Sequence, residues 1–203
     1  MKKTFNTTYL VELAVLIAII LLMAFTPIGY IKTLGLEITL IVVPVAVGAV
    51  TLGPAAGLIL GTVFGITSFI QCFGISPFGA MLLSINPVLT FIVCVPTRAL
   101  MGWLTGILYQ ALKKGNATKK IACAISCLAS PLFNTLFFMS TICIFFYQTD
   151  YIQSMVTSLG ASNVLAFVIA FVGINGLVEA LACFIAGTAI SQALLVVIRR
   201  SAK

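Results

Sequence analysis

The residues that could do chemistry are few. The chain holds four acids, Glu12, Glu37, Asp150 and Glu179, six cysteines and no histidine. A Ser-His-Asp triad, a His–Cys zinc site or a Mg²⁺-bound phosphoryl group lacks its parts. No G-x-x-x-x-G-K-[ST] phosphate loop occurs, so this chain does not itself hydrolyse a nucleotide by that route. Cys72, Cys94, Cys123, Cys127, Cys143 and Cys183 form no C-x-x-C pair and lie in apolar runs. They read as small buried hydrophobes, with neither a metal site nor a disulfide framework. No catalytic residue and no cofactor is expected.

What stands out is a small set of polar residues inside apolar sequence. Arg98 lies about eleven residues into an apolar stretch, too far from either end for simple snorkelling, and its guanidinium stays charged. An ionisable group near a bilayer centre costs about 2.5–3.5 kcal/mol or more, so it marks a functional site by default. Glu179 and Asn175, four residues apart, share one helix face at comparable depth. Asn134 follows Ser130-Pro131, where proline frees a carbonyl, and Asn86 precedes Pro87. Arg98 and Glu179 either pair with each other or face a ligand. In the second case they form, with the asparagines, a polar pocket for a small anionic, hydrogen-bonding solute, over which Tyr30 and Lys32 could close.

The elements that position these groups are membrane spans. Of 203 residues, 62% are hydrophobic and only 7% charged, which does not describe a water-soluble surface. Apolar segments separated by turn chemistry give six spans at about 9–26, 38–52, 54–72, 87–112, 121–146 and 164–198. The last is long or broken at Gly173-Ile174-Asn175-Gly176, and 74–86 reads as a connecting loop. The first follows Lys2 and Lys3 like a signal peptide, but it is too long and no small-x-small cleavage site follows, so it is kept as a span. Nine of the eleven basic residues (Lys2, Lys3, Lys113, Lys114, Lys119, Lys120, Arg199, Arg200 and Lys203) fall on one side if six spans leave both termini in the cytoplasm. The expectation is one all-α, polytopic six-helix bundle over 1–203. The +7 net charge then serves topology and contact with the anionic lipid bilayer, not nucleic acid.

Small residues recur at helical spacing. Gly53, Gly57, Gly61 and Gly65 place a close-approach seam on the third span, and Gly102 with Gly106 repeat it on the fourth. Ala182 and Ala186 do the same in the last span. Ala14 and Ala18 in the first span serve either internal packing or docking onto another membrane protein.

Several segments carry a resemblance. Phe25-Thr26-Pro27-Ile28-Gly29-Tyr30-Ile31, Leu52-Gly53-Pro54-Ala55-Ala56-Gly57, Ser76-Pro77-Phe78, Val95-Pro96-Thr97-Arg98 and Asn175-Gly176-Leu177-Val178-Glu179-Ala180 resemble the substrate-binding S components of energy-coupling-factor (ECF) vitamin transporters, most closely the pantothenate branch. Related branches carry riboflavin, folate, thiamine, biotin or hydroxymethylpyrimidine. The resemblance implies a multi-pass protein of the bacterial cell membrane that captures a vitamin outside. A separate transmembrane coupling subunit and two cytoplasmic ATPases would supply energy. It assigns Ala14 and Ala18 to coupling-subunit contact and the first outer loop, 27–37, to gating. In this reading Arg98 holds a carboxylate, and Asn134, Asn175 and Glu179 bond hydroxyl and amide groups. The alternative is a stand-alone proton-coupled carrier of a small organic anion, with Glu179 exchanging a proton as it releases Arg98. No inverted repeat of the kind usual in such carriers is evident.

Overall fold

The computed structural model describes residues 7–27, 29–31, 38–115 and 117–201. Its elements are α1 (Thr7–Ala24), a two-residue antiparallel ladder of β1 (Tyr30–Ile31) and β2 (Ile38–Thr39), α2 (Val42–Thr51), α3 (Pro54–Gln71), α4 (Pro77–Ile85), α5 (Pro87–Lys114), α6 (Lys119–Phe145), α7 (Asp150–Ser158), α8 (Val164–Ala182), a π-helical turn (Cys183–Gly187) and α9 (Thr188–Ser201). Among the described residues, five stretches are long and apolar enough to cross a bilayer: Thr7–Ala24, Pro54–Gln71, Pro87–Lys114, Lys119–Phe145 and Asn175–Val196.

The expected second span is realised as α2, only ten residues long. At 1.5 Å per residue it covers about 15 Å, half a hydrocarbon core. It tolerates this because it does not face lipid: Val42 and Pro44 to Val50 are all buried, and α2 packs against α1, α3, α5, α6 and α9. The chain from 164 to 201 continues as helix through Gly173-Ile174-Asn175-Gly176, and its irregularity lies later, in the π turn.

One segment differs from the sequence expectation, and another helix lies between the expected spans. Residues 74–86, read as a loop, contain α4, whose Ser76 Oγ accepts from the Gly79 amide while Pro77 fills the first helical turn. The link between α6 and α8 holds α7, capped by Thr149. Side chains of these two short helices meet in one buried cluster: Phe78 and Leu82 of α4 join Ile152 and Val156 of α7 with Phe146 and Phe167. They close one end of the bundle, and Lys113, Lys114, Lys119 and Lys120 lie at the other, where α5 passes to α6.

The centre of the bundle is a seam between α3 and α5, its most extensive helix pair. A side-chain carbon at Gly57 would collide with the Gly102 carbonyl, and one at Gly102 with the Gly57 carbonyl. One at Gly61 would strike the Arg98 carbonyl, one at Gly65 the Val95 backbone, and one at Gly106 the Pro54 backbone. Small residues thus bring two backbones into direct contact, which suits a medium without a hydrophobic force between helices. Gly53, expected in this ladder, does another job. It sits at the N-cap of α3 with φ of 101°, a left-handed conformation that lets the chain turn from α2 into Pro54. Ala14 and Ala18 are exposed on α1. Ala182 and Ala186 line an apolar groove between α1, α2 and the last helix.

Gly61→Ala should destabilise the fold by about 1–3 kcal/mol, because the obstacle is backbone and cannot swing aside. Ala14→Leu, on an exposed face, should change stability by no more than about 0.5 kcal/mol. Thermal unfolding in detergent checks both, and an unchanged melting temperature for Gly61→Ala would remove the seam as the organising contact.

Candidate functional site

Three long helices deliver the polar residues to a common depth. Arg98 on α5 and Asn175 on α8 each lie eleven residues from the start of their helix, and Asn134 lies eleven from the end of α6. That is about 16 Å at 1.5 Å per residue. With Glu179, one turn further along α8, all four line one cavity of about 400 Å³, within the roughly 300–1,000 Å³ range of small-molecule sites. Phe78 and Tyr151 from the two short helices also line it. Their rings lie 6.1 Å apart, with Phe171 5.4 Å from Phe78, so aromatic surface closes the end.

Arg98 is 7% exposed and has no carboxylate partner within ion-pair distance among the described residues. One guanidinium nitrogen donates to the Val93 and Cys94 carbonyls at 3.3 and 3.1 Å. Both carbonyls lie on the turn that Pro96 loosens by lacking an N–H. The cation also sits over the rings of Phe64, 4.8 Å from its centroid, and Phe138, at 5.4 Å, each within the range of cation–π attraction. These contacts hold the group without neutralising it. Its Nε–H, and the Oδ1 of Asn134, are buried with no hydrogen-bond partner among the described residues. One is a donor and the other an acceptor, and both belong to residues that line the cavity.

Glu179 is equally buried, at 7% exposure, and is engaged elsewhere. Its Oε1 accepts from the Thr39 backbone N–H at 2.7 Å, tying β2 to α8. Asn175 lines the cavity beside it. The alternative of an Arg98–Glu179 pair is thus not the arrangement seen.

Asn86 is a correction. Expected in the pocket, it is the N-cap of α5: its Oδ1 accepts from the Val88 and Leu89 amides, both at 3.1 Å, and it does not line the cavity. Pro87 at the next position completes this helix start. Tyr30 is described through its backbone, paired with Thr39 in the ladder, and Lys32 lies outside the described residues.

Other lining residues escaped the sequence reading: Thr39, Ser68, Gln71, Thr90, Thr135 and Tyr151. Helical threonine and serine return their hydroxyls to the preceding turn, as Thr90 does to the Asn86 carbonyl at 2.9 Å, so they carry little signal in an apolar span. Gln71 was a readable amide at the end of a glycine-rich helix. Its Nε2 donates to the Ala24 carbonyl at 2.5 Å, fastening the end of α1 to α3. Burial pushes the Tyr151 phenol up from its ordinary value. No group of three or more His, Cys, Asp or Glu among the described residues could hold a metal.

The family described as ECF transporter, substrate-specific component, matches residues 8–191. No curated protein matches the chain.

Two measurements test the roles assigned to Asn86 and Glu179. Asn86→Ala should lower stability by about 1 kcal/mol, while Asn86→Asp, which can still cap, should recover it in the same thermal assay. The Thr39 amide should exchange hydrogen slowly in wild type and in Glu179→Gln, which keeps an acceptor. Exchange should be roughly tenfold faster or more in Glu179→Ala; equal rates in all three would show that the carboxylate does not hold β2.

Proposed function

Because the chain belongs to the family of ECF transporter substrate-specific components, we propose that it captures pantothenate in the cavity between α5, α6 and α8. The family is one of transporters, not enzymes, and the chain is accordingly a multi-pass membrane protein. Membership entails association with the ECF coupling and ATPase subunits and recognition of a small ligand. The vitamin and the roles of individual residues are our reading.

The observation that carries it is the buried Arg98 guanidinium, held by two carbonyls and two rings and facing no carboxylate of the described chain. A ligand carboxylate accepts from it in the fork geometry that suits arginine. The unpartnered Asn134 Oδ1 accepts from a ligand hydroxyl or amide N–H, and Asn175 bonds a second polar group. The Glu179 carboxylate adds an acceptor to the wall while its Oε1 remains with Thr39. Pantothenate carries a carboxylate, an amide and hydroxyls along a flexible aliphatic body, which matches the mixture of polar groups with Phe78, Phe138, Met139 and Val172 in the wall.

Ala14 and Ala18, exposed on α1, give the coupling subunit a surface for close helix approach. The nine basic residues support cytoplasmic termini and an even number of crossings, the enclosed α2 making the sixth. Delivery inside then follows from reorientation of the bundle when the coupling subunit engages α1. The proton-coupled carrier reading draws on a pairing of Glu179 with Arg98, and Glu179 bonds Thr39 instead.

Isothermal calorimetry of the detergent-purified protein should show saturable pantothenate binding. Arg98→Ala should weaken it by about 1.5–3 kcal/mol, roughly ten- to a hundredfold, and Arg98→Lys should fall between. Absence of heat with pantothenate but binding of riboflavin or folate would redirect the vitamin, and full affinity in Arg98→Ala would remove the anchor.

A further inference from the structure

Two sulfur atoms in the cavity wall are not used by this reading. Cys72 follows the last residue of α3, and Cys94 lies one turn before Arg98 on α5. Both line the cavity, and each is only 4% exposed. Their Sγ atoms are 3.9 Å apart. The helices are already close nearby: at Gly65, two turns before Cys72, the α3 backbone touches Val95 and the Cys94 carbonyl. Phe69 and Leu83 pack against this pair, and Phe91 sets its ring against Phe69 at 5.3 Å. That apolar cover leaves the cavity as the route of approach. Cys123, Cys127, Cys143 and Cys183 do not line it.

A metal cation is a poor occupant. The Arg98 guanidinium is bonded to the Cys94 carbonyl, and no third ligating side chain completes a set among the described residues. The geometry points to a dithiol–disulfide site instead, in which a small hydroperoxide entering the ligand cavity oxidises Cys72 and Cys94 and staples α3 to α5 beside Arg98. One sulfur attacks the peroxide, breaking its O–O bond to give a sulfenic acid and one molecule of water from hydrogen peroxide, or of alcohol from an alkyl hydroperoxide. The second sulfur displaces the sulfenic oxygen as water, forming the S–S bond. Two thiol hydrogens and two electrons pass to the peroxide, and nothing else is required. The sulfurs must close by roughly 2 Å to reach a bond of about 2.05 Å. The disulfide fixes the α3–α5 spacing at the wall and removes two thiols from it, which makes the cavity responsive to oxidants that enter it. The site rests on the cavity geometry and not on the choice of vitamin.

Hydrogen peroxide treatment of the ligand-free, full-length protein in detergent, followed by alkylation and peptide mass spectrometry, tests the assignment. The expected product is one linked peptide pair, Cys72 with Cys94, lacking two hydrogens and restored by a thiol reductant, before any other cysteine reacts. In Cys94→Ser the linked pair should vanish. The proposal is overturned if both thiols of folded wild-type protein remain alkylatable after peroxide, if either goes to sulfinic acid without linking, or if Cys143 or the Cys123, Cys127 and Cys183 group oxidises first. The wild-type peptide map decides the matter alone should Cys94→Ser fail to fold.

Discussion

Direct backbone contact between α3 and α5 is the constraint from which the rest of the site follows. Gly61 packs on the carbonyl of Arg98 itself, so the seam fixes the main chain of the residue whose side chain anchors the cavity. A side chain at Gly57, Gly61 or Gly102 would push the helices apart and carry Arg98 with them. Apolar burial cannot hold such a position in lipid, where helix surfaces gain nothing by leaving hydrocarbon; close van der Waals packing and carbonyl contacts take its place. With α5 held on one side, α6 packs on the other, and its Asn134 meets the same space.

The charge balance inside the bundle is the second organising fact. Arg98 and Glu179 both line the cavity, yet each has found different partners: carbonyls and aromatic faces for the cation, the Thr39 amide for the carboxylate. Pairing them would have cancelled both charges and left little to distinguish one solute from another. Held apart, they keep a donor pole and an acceptor pole within one enclosure. The desolvation cost of each charge is met by dipoles that do not compete for it outright.

Much of this was legible from residue types. The four-residue glycine period announced the seam, and polar groups stranded in apolar sequence marked Arg98, Asn134, Asn175 and Glu179, which the structure gathers in one cavity. Asn86, directly before Pro87, carries the signature of a helix start, with the amide as cap and Pro at the first position, and that local role takes up its side chain. The same signature in Ser76-Pro77 was read as loop and is α4. Other features were not readable at all. The Thr39–Glu179 bond joins residues 140 positions apart, and the shortness of α2 is permitted only by the helices around it. Gly53 shows that a periodic pattern can include a member with another purpose: Gly53-Pro54 also reads as a tight turn, and the positive φ of Gly53 makes that turn into α3.

The π turn at Cys183–Gly187 interrupts the α-helical winding between Glu179 and Ser191. In effect it holds one residue more than an α-helix would spend on the same length, and each residue advances the winding by about 100°. The two halves of this long helix therefore run out of phase. The first half turns Asn175 and Glu179 toward the cavity, while the second turns Gly187 and Ser191 onto Cys127 of α6. One helix thereby serves two neighbours that a uniform helix could not face together. Loss of a single residue between 183 and 187 would leave hydropathy and length almost untouched, yet rotate Ser191 out of its buried position. The alignment of the two ends of this protein is thus encoded as a count of residues, a quantity that composition and hydropathy do not register.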